Sequence, residues 1–200
     1  MPPEIVKSLE FPTSQEAWEG INEYILNYQN EIESRNGGRY GPVMSSYCMF
    51  LRAREAWVDP EFDLGKIFGY QTHKWSSLVN NYVDFDSLDI VRTQVREREA
   101  KKSTSYNISY LFANSHTSGK GCLLSLTFQK RIKAEYPVLV MNLRASEVTK
   151  RLIFDYILVQ RIAEYIYGPD QHVTIEIFCA NMYLSAEHFS MYDNHKKIRP

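Results

Sequence analysis

The sequence predicts a single α+β domain over residues 1–200, and two observations support this class. Strand-like apolar runs follow one another in the second half of the chain, and stretches with helical spacing flank them. Hydrophobic residues make up 44% of the 200 residues, which is enough for the core of one domain. We find no internal repeat and no low-complexity linker that would divide the chain.

Three stretches have the spacing of helices. Thr13-Ser14-Gln15-Glu16 is a capping box, which predicts a helix start. The apolar stripe that follows it consists of Trp18, Ile21, Tyr24, Ile25, Tyr28 and Ile32. A charged stretch from about Ser87 to Lys101 predicts a second helix with a solvated face. The most apolar stretch, Ser146 to Tyr167, predicts a long helix buried at the centre of the domain.

The remaining segments predict strands and loops. The predicted strands are Tyr106–Ala113, Leu123–Lys130, Pro137–Leu143 and Val173–Ala180. Ser34 to Pro42 is rich in glycine and arginine and predicts a loop, and Asn114 to Gly121 predicts a polar turn.

Charge and cysteine usage limit the classes of function. The formal net charge of −1 gives no global attraction to nucleic acid or to membranes. The three cysteines and five histidines lack the spacing of metal ligands, so we expect no metal site and reduced thiols. No signal peptide and no run of membrane-spanning length is found. We therefore expect a cytoplasmic protein that binds neither nucleic acid nor membranes.

Cys122 is the first candidate for chemistry. It opens a predicted strand directly after Gly119-Lys120-Gly121, so its thiol could face a cleft where Lys120 and backbone N–H groups favour the thiolate. The alternative is a buried structural cysteine, because free cysteine is among the most buried residue types.

Four further residues are candidates for ligand binding. Arg144 ends an apolar strand, where its planar fork suits a phosphate or carboxylate, although an ordinary salt bridge is the alternative. Asp155 lies within the most apolar helix, where a buried carboxylate needs partners and often marks a functional site. The alternatives are that it caps a neighbouring element or faces a water-filled cavity. Asn181 and Tyr183, placed after the last predicted strand, could supply a polar pair to a ligand or hydrogen bond at the surface.

The order of several segments resembles one family over most of the chain. These segments are Asp63–Gln71, the strand Tyr106–Ala113, Cys122 at the nucleophile's place, Leu143–Glu147, Phe154–Asp155, Cys179–Leu184 and Tyr192–Arg199. Ser34-Arg35-Asn36-Gly37 is similar to a phosphate-binding loop near the N-terminus. Taken together and in order, they resemble the thymidylate synthase and deoxycytidylate hydroxymethylase superfamily. The resemblance implies a thymidylate synthase-like mixed sheet packed by a long central helix, in a homodimer that associates through its sheet.

The resemblance also implies a reaction and its residues. The Cys122 thiolate would add to C6 of a pyrimidine nucleoside monophosphate and make C5 nucleophilic toward a one-carbon unit carried by 5,10-methylenetetrahydrofolate. Arg144 and Ser146, with Arg35, would hold the phosphate, and Asp155 would read the base. Asparagine at that position suits uracil, whereas a carboxyl group can complement cytosine, and aspartate there marks the cytidylate hydroxymethylases of the superfamily.

Departures from the family pattern fall at four places. Leu123 stands where a histidine follows the nucleophile, and the paired arginines that reach the partner's phosphate are replaced by Ser105 and Tyr106. Asn181 replaces a histidine that helps to bind the sugar, with Tyr183 two residues further on. The glutamate-bearing catalytic segment is shortened, and Glu55, before Trp57, is its candidate substitute. The resemblance assigns no residue to the folate.

Three functions remain open from the sequence. The leading one is a pyrimidine nucleotide C5 hydroxymethyl- or methyltransferase acting on CMP or dCMP. The second is a folate-independent pyrimidine-modifying enzyme that uses the same cysteine, and the third is a non-catalytic nucleotide-binding or scaffold protein. Cysteine-dependent exchange of the C5 hydrogen separates the enzymes from the scaffold, and folate dependence separates the first two. Ribose and deoxyribose are not distinguished by the sequence.

Overall fold

A computed structural model describes residues 7–27, 33–36, 42–59, 64–68, 82–101, 105–112, 122–132 and 134–198. Its helices are α1 Ser14–Asn27, α2 Leu64–Phe68, α3 Phe85–Ala100, α4 Leu152–Tyr167 and α5 Ala186–Ile198. Its strands are β1 Lys7–Thr13, β2 Glu33–Asn36, β3 Pro42–Glu55, β4 Tyr106–Leu111, β5 Leu123–Lys130, β6 Val138–Leu143, β7 Ser146–Glu147 and β8 Thr174–Ser185. The predicted mixture of helices and strands is therefore confirmed.

The described strands form one mixed sheet. Its main path runs in the order β1-β3-β8-β6-β5-β4, while β2 pairs with β3 and β7 pairs with β8. The pairs β1–β3, β6–β8 and β7–β8 are parallel, and the others are antiparallel. The sheet is mixed, as predicted, and β8 lies near its middle.

The described helices form a layer on one face of the sheet. Helix α1 contacts β1, β3 and α4, helix α3 contacts β4 and α4, and helix α5 contacts β8. Helix α4 carries eight buried residues and contacts helices on both sides, so the predicted buried central helix is confirmed. None of the described helices is long and apolar enough to cross a membrane.

Helix α4 begins later than the sequence predicted. It starts at Leu152, whereas the predicted start, Ser146, lies in the short strand β7. The reason is the Glu147 carboxylate, which accepts hydrogen bonds from the backbone N–H groups of Thr149 at 3.4 Å and Lys150 at 2.7 Å. A side chain that satisfies backbone donors in this way holds the chain in a turn before the helix can form.

The other two predicted helices are confirmed with small shifts. Helix α1 begins at Ser14, and the Thr13 hydroxyl accepts from the backbone N–H of Glu16 at 3.1 Å, as a capping residue does. Trp18, Ile21 and Ile25 of the predicted stripe are fully buried, while Tyr28 and Ile32 lie outside the described residues. Helix α3 starts at Phe85, two residues before the predicted position, because the Asp84 side chain caps it.

Several strand predictions were wrong or incomplete. Strands β1 and β3 were not predicted, and part of the predicted loop after Ser34 forms β2, which pairs with the start of β3. Strand β8 continues to Ser185 because its pairing with β3 extends from Ala53 to Val43. Asn181 and Tyr183 therefore lie within the last strand, not after it. The predicted turn from Asn114 to Gly121 lies outside the described residues.

Candidate functional site

One end of the sheet brings Cys122 and Arg144 together. Cys122 directly precedes β5, and its backbone carbonyl accepts a hydrogen bond from the backbone N–H of Arg144 at 2.9 Å. Leu143, the last residue of β6, pairs with Leu123 on one side and with Cys179 of β8 on the other. The start of β5, the end of β6 and the middle of β8 thus meet at this end.

Asp155 reaches the same region from the first turn of α4. The Ser146 hydroxyl, on β7, donates a hydrogen bond to Asp155 Oδ2 at 3.4 Å. Burial raises the pKa of Asp155 to about 7, although the Arg151 guanidinium and the hydrogen bond from Ser146 both lower it. The carboxyl group can therefore hold or release a proton near neutral pH, which an ordinary surface aspartate cannot do.

Two further side chains link Cys122 to Asp155. The pKa of the Cys179 thiol is raised to about 12, mainly by burial and in smaller part by the charges of Asp155 and Cys122, although hydrogen bonds with the backbone of Asn181 and Ser146 lower it. Burial also raises the pKa of Tyr82, and Cys122 and Asp155 again add to the shift, whereas a hydrogen bond from the Cys122 backbone opposes it. Strand pairing gives the same arrangement: Leu143, next to Arg144, pairs with both Leu123 and Cys179, and Ser146, which bonds to Asp155, pairs with Met182 three residues further along β8. Cys122 and Asp155 therefore lie toward the same part of the sheet. We call Cys122, Asp155, Ser146, Tyr82 and Cys179 the thiol–carboxyl site.

Asn181 and Tyr183 lie next to the thiol–carboxyl site on β8. The Cys179 thiol donates to the backbone carbonyl of Asn181 at 3.4 Å. The side-chain oxygen Oδ1 of Asn181 is buried and accepts no hydrogen bond from the described residues. Tyr183 is half-buried and pairs with Glu147, the neighbour of Ser146. Both predicted residues are thus adjacent to the site, and Asn181 brings next to it an acceptor for which the described residues provide no donor.

Of the two predicted phosphate-binding arginines, Arg144 lies beside Cys122, whereas the backbone of Arg35 lies further along β3. Arg144 is exposed, and its side chain makes no ion pair with any described residue, so the salt bridge considered as an alternative is not found there. Arg35 lies in β2, where its backbone opposes Val43, which in turn pairs with Ser185. The side chain of Arg35 is outside the described part, so its role stays a prediction.

Glu55, the candidate catalytic glutamate, lies elsewhere. Cys179, a member of the thiol–carboxyl site, pairs with Met49 of β3. Glu55 is the last residue of that strand, six residues after Met49. At about 3.3 Å per residue, this separates Glu55 from the site by roughly 20 Å. Glu55 instead faces His172, with 3.9 Å between Oε1 and Nδ1. The register between β3 and β8 does not bring Glu55 to Cys122, and its catalytic role stays a prediction.

Buried hydrogen bonds fix the chain between Ser146 and α4. The Trp18 indole donates to the backbone carbonyl of Thr149 at 2.9 Å, and the Thr149 hydroxyl donates to Asn22 Oδ1 at 2.7 Å. Glu147, which is buried, lies 3.1 Å from Nδ1 of the buried His188 on α5. A buried polar network of this kind rigidifies the segment that positions Ser146 and Asp155.

Sequence reasoning missed these supporting residues and two members of the site. Tyr82 and Cys179 were not proposed as members of the thiol–carboxyl site, although Cys179 opens one of the segments on which the family resemblance rests. No pattern in the sequence connects Trp18 with Thr149, because 131 positions separate them.

Comparison with known proteins gives no identification: no protein-family model and no curated protein matches this chain. The fold and site define it as a mixed α/β protein with a thiol and a titratable carboxyl group at one end of its sheet.

Proposed function

We propose that the protein is a pyrimidine nucleotide C5 hydroxymethyl- or methyltransferase of the thymidylate synthase-like superfamily, acting on a cytidylate. The observation that carries the proposal is that Cys122, at the start of β5, and Asp155, in the first turn of α4, both lie toward the end of β6 and the middle of β8, although they are distant in sequence. A nucleophilic thiol and a carboxyl group able to hold a proton near pH 7 are the two groups that addition to a cytosine ring requires.

In the proposed reaction, Cys122 adds to the cytosine ring and Asp155 binds its N3 edge. The Cys122 thiolate forms a bond from Sγ to C6, and the electron pair of the 5,6 double bond shifts toward C5 and the N3 edge. Asp155 faces that edge, where its protonated form donates to N3 while its carbonyl oxygen accepts from the N4 amino group. C5 then takes a proton from water. Loss of the original C5 hydrogen as a proton and cleavage of the Sγ–C6 bond restore the ring.

Transfer of a carbon unit requires a donor, which we propose is 5,10-methylenetetrahydrofolate. When bound, this group supplies an electrophilic one-carbon unit to C5. Tyr82, which packs edge-on against Phe112, is the aromatic residue of the thiol–carboxyl site that would contact the pterin. Asp155 and Cys122 would hold the pyrimidine in place, and no other residue is assigned to the folate.

The function is tested with CMP, dCMP, UMP and dUMP labelled with tritium at C5. Release of tritium into water is measured with and without methylenetetrahydrofolate. We expect release from a cytidylate, and a new C5-substituted product only when the folate is present. Release without any folate-dependent product would favour the folate-independent enzyme, and binding without release would favour the non-catalytic protein.

Arg144 should hold the nucleotide phosphate. Its guanidinium is exposed at the end of β6, beside Cys122, and a charge-assisted hydrogen bond contributes about 1.5–3 kcal/mol. Arg144→Ala should therefore weaken CMP binding about tenfold to a hundredfold and leave cytidine binding nearly unchanged, as measured by calorimetry. Arg161→Ala is the matched control, because Arg161 is an exposed arginine of α4 that pairs with Glu164. Equal losses for CMP and cytidine would show that Arg144 serves only structure.

We also propose a homodimer packed through the sheet. The face that carries none of the described helices presents Phe50, Val140 and Phe178, and Phe178 is 39% exposed. On the same face Glu176 is buried between the arginines Arg52, at 3.8 Å, and Arg131, at 2.8 Å. An apolar patch rimmed by charges is typical of protein interfaces.

Sedimentation at micromolar concentration should therefore show a dimer. Phe178→Glu should give a folded monomer, because it places a carboxylate at the centre of the open face. Ile90→Glu is the control, since Ile90 is 60% exposed on the outer side of α3 and should not affect association. A monomeric unmodified protein would contradict the proposal.

A further inference from the structure

A cavity lies at the end of the sheet opposite the thiol–carboxyl site and is not used by the proposed reaction. It has a volume of about 270 Å³ and is enclosed by the end of β3, the second half of α4 and the loop that joins α4 to β8. At about 30 Å³ per molecule this is the volume of roughly nine waters, so a small organic ligand fits. Its lining includes Glu55, Trp57, Gln160, Glu164, Asp170 and His172.

The charges of the lining favour a cation. Glu55, Glu164 and Asp170 contribute carboxylates, and no lysine or arginine is found among the described lining residues. The exposed Arg161 pairs with Glu164 at 2.8 Å and balances that carboxylate. Glu55 and Asp170 form no ion pair with a lysine or arginine of the described chain. A ligand with two positive charges therefore matches the cavity.

The hydrogen bonds of His172 favour a ligand that donates. Its Nε2 atom lies 3.1 Å from the backbone carbonyl of Arg54, which only accepts, so the neutral ring carries its proton on Nε2. Nδ1 is then an acceptor, and Oε1 of Glu55, a second acceptor, lies 3.9 Å from it. The Tyr136 ring packs against the imidazole, with 4.3 Å between the centroids. A ligand N–H group placed between Nδ1 and Oε1 pairs with both.

The walls of the cavity are held together before any ligand binds. Gln160, on α4, accepts at Oε1 from the backbone N–H of Val58 at 3.2 Å and donates from Nε2 to Glu164 at 3.2 Å. The backbone N–H of Ala56 donates to the carbonyl of Val173 at 2.8 Å. Because these bonds join the three segments of the lining, a ligand meets a preorganised site.

Trp57 supplies an aromatic wall. Its side chain is 42% exposed, while its backbone carbonyl is fixed by the N–H of Gln15 at 3.1 Å. An indole face attracts ammonium groups and also covers the methylene groups of an alkyl chain. A metal ion instead needs several oxygen ligands, and the described residues contain no group of three His, Cys, Asp or Glu side chains placed to hold one.

We propose that this cavity binds a small alkyl diammonium ion. One ammonium group donates to Glu55 and to Nδ1 of His172, the other pairs with Asp170, and the chain between them lies against Trp57. The cavity and the thiol–carboxyl site lie at opposite ends of β6, so this binding is independent of the function proposed above.

The test measures binding by calorimetry at about pH 8, where an ordinary histidine is neutral. The probes are 1,4-diaminobutane, 4-amino-1-butanol and 1,4-butanediol, which share one chain length and carry two, one and no positive charges. We expect saturable binding of the diamine to each chain, binding about fivefold or more weaker for the amino alcohol, and none for the diol.

Variants of two lining residues separate the aromatic wall from the charge. Trp57→Ala should weaken diamine binding about fivefold or more, whereas Trp57→Phe keeps an aromatic face and should retain most of the affinity. Asp170→Asn should weaken the diamine about threefold and leave the amino alcohol nearly unchanged, so that the two probes bind more alike. Phe85→Ala and Asp86→Asn are the matched controls, because both residues are exposed at the start of α3, away from the cavity.

Equal binding of the diamine and the diol would overturn the inference, as would the absence of saturable binding or equal losses in the control variants. Displacement of the diamine by magnesium chloride, but not by sodium chloride of the same ionic strength, would show a metal site and would also overturn it. None of these measurements involves a pyrimidine nucleotide, so failure of the proposed function is seen separately, in the tritium release from cytidylates.

Discussion

Cys122→Ala should abolish exchange of the C5 hydrogen of CMP. The reason is that no other described thiol can take its place: Cys179 is buried with a pKa of about 12, and Cys48 lies in the middle of β3. Removal of a covalent nucleophile lowers rates on the order of 1,000-fold or more, because the bond to C6 cannot form. The rate is measured by nuclear magnetic resonance in D₂O as loss of the H5 signal.

Two measurements separate loss of the nucleophile from loss of the fold. Cys122 is only half-buried, so its alanine variant should keep the circular dichroism and the CMP affinity of the unmodified protein within about twofold. Cys48→Ala is the matched control, because Cys48 is the other half-buried thiol and should be dispensable for exchange. Exchange at the normal rate in Cys122→Ala would show that the thiol is not the nucleophile.

Asp155→Asn should shift the base preference from cytosine to uracil. A protonated carboxyl group donates to N3 of cytosine and accepts from its N4 amino group, whereas an amide accepts from N3–H of uracil and donates to O4. A mispaired buried polar edge costs about 1–3 kcal/mol, so the ratio of CMP to UMP affinity should change about tenfold or more. An unchanged ratio would contradict base reading by this residue.

The Asp155 carboxyl group should also make the affinity for CMP depend on pH. Since the pKa of Asp155 is raised to about 7, the protonated form that matches cytosine is present below this pH and is lost as the pH rises through it. CMP affinity of the unmodified protein should therefore fall between pH 6 and 8. An asparagine does not titrate in this range, so Asp155→Asn should bind UMP equally well at both ends of it. A CMP affinity that rises with pH would contradict the assignment.

The parts of the site that were predictable depend on local patterns. Strands β5 and β6 are continuous apolar runs that follow one another, and adjacent antiparallel strands place the start of the first beside the end of the second. Cys122 and Arg144 occupy these two ends, so their proximity follows from the sequence. The position of Asp155 followed from the apolar spacing of α4, which had to be buried against the sheet.

Other parts depended on contacts that local patterns do not encode. Strand β3 was missed because its run is polar at Ser45-Ser46, is interrupted by the positive φ of 53° at Cys48 and ends in charged residues. The place of Glu55 in the fold could not be predicted either, because it depends on the register between β3 and β8. Tyr82 and Cys179 came into the site through packing and strand pairing across distant parts of the chain.

The central claim is that one site joins the nucleophile Cys122 to the base reader Asp155. The most direct test is the rate of C5 hydrogen exchange for CMP and UMP, measured side by side with the unmodified protein and Asp155→Asn. We predict that the unmodified protein exchanges CMP faster than UMP and that the variant reverses this order while both depend on Cys122. Exchange that is absent with both nucleotides, or a ratio of rates that Asp155→Asn leaves unchanged, would contradict the claim.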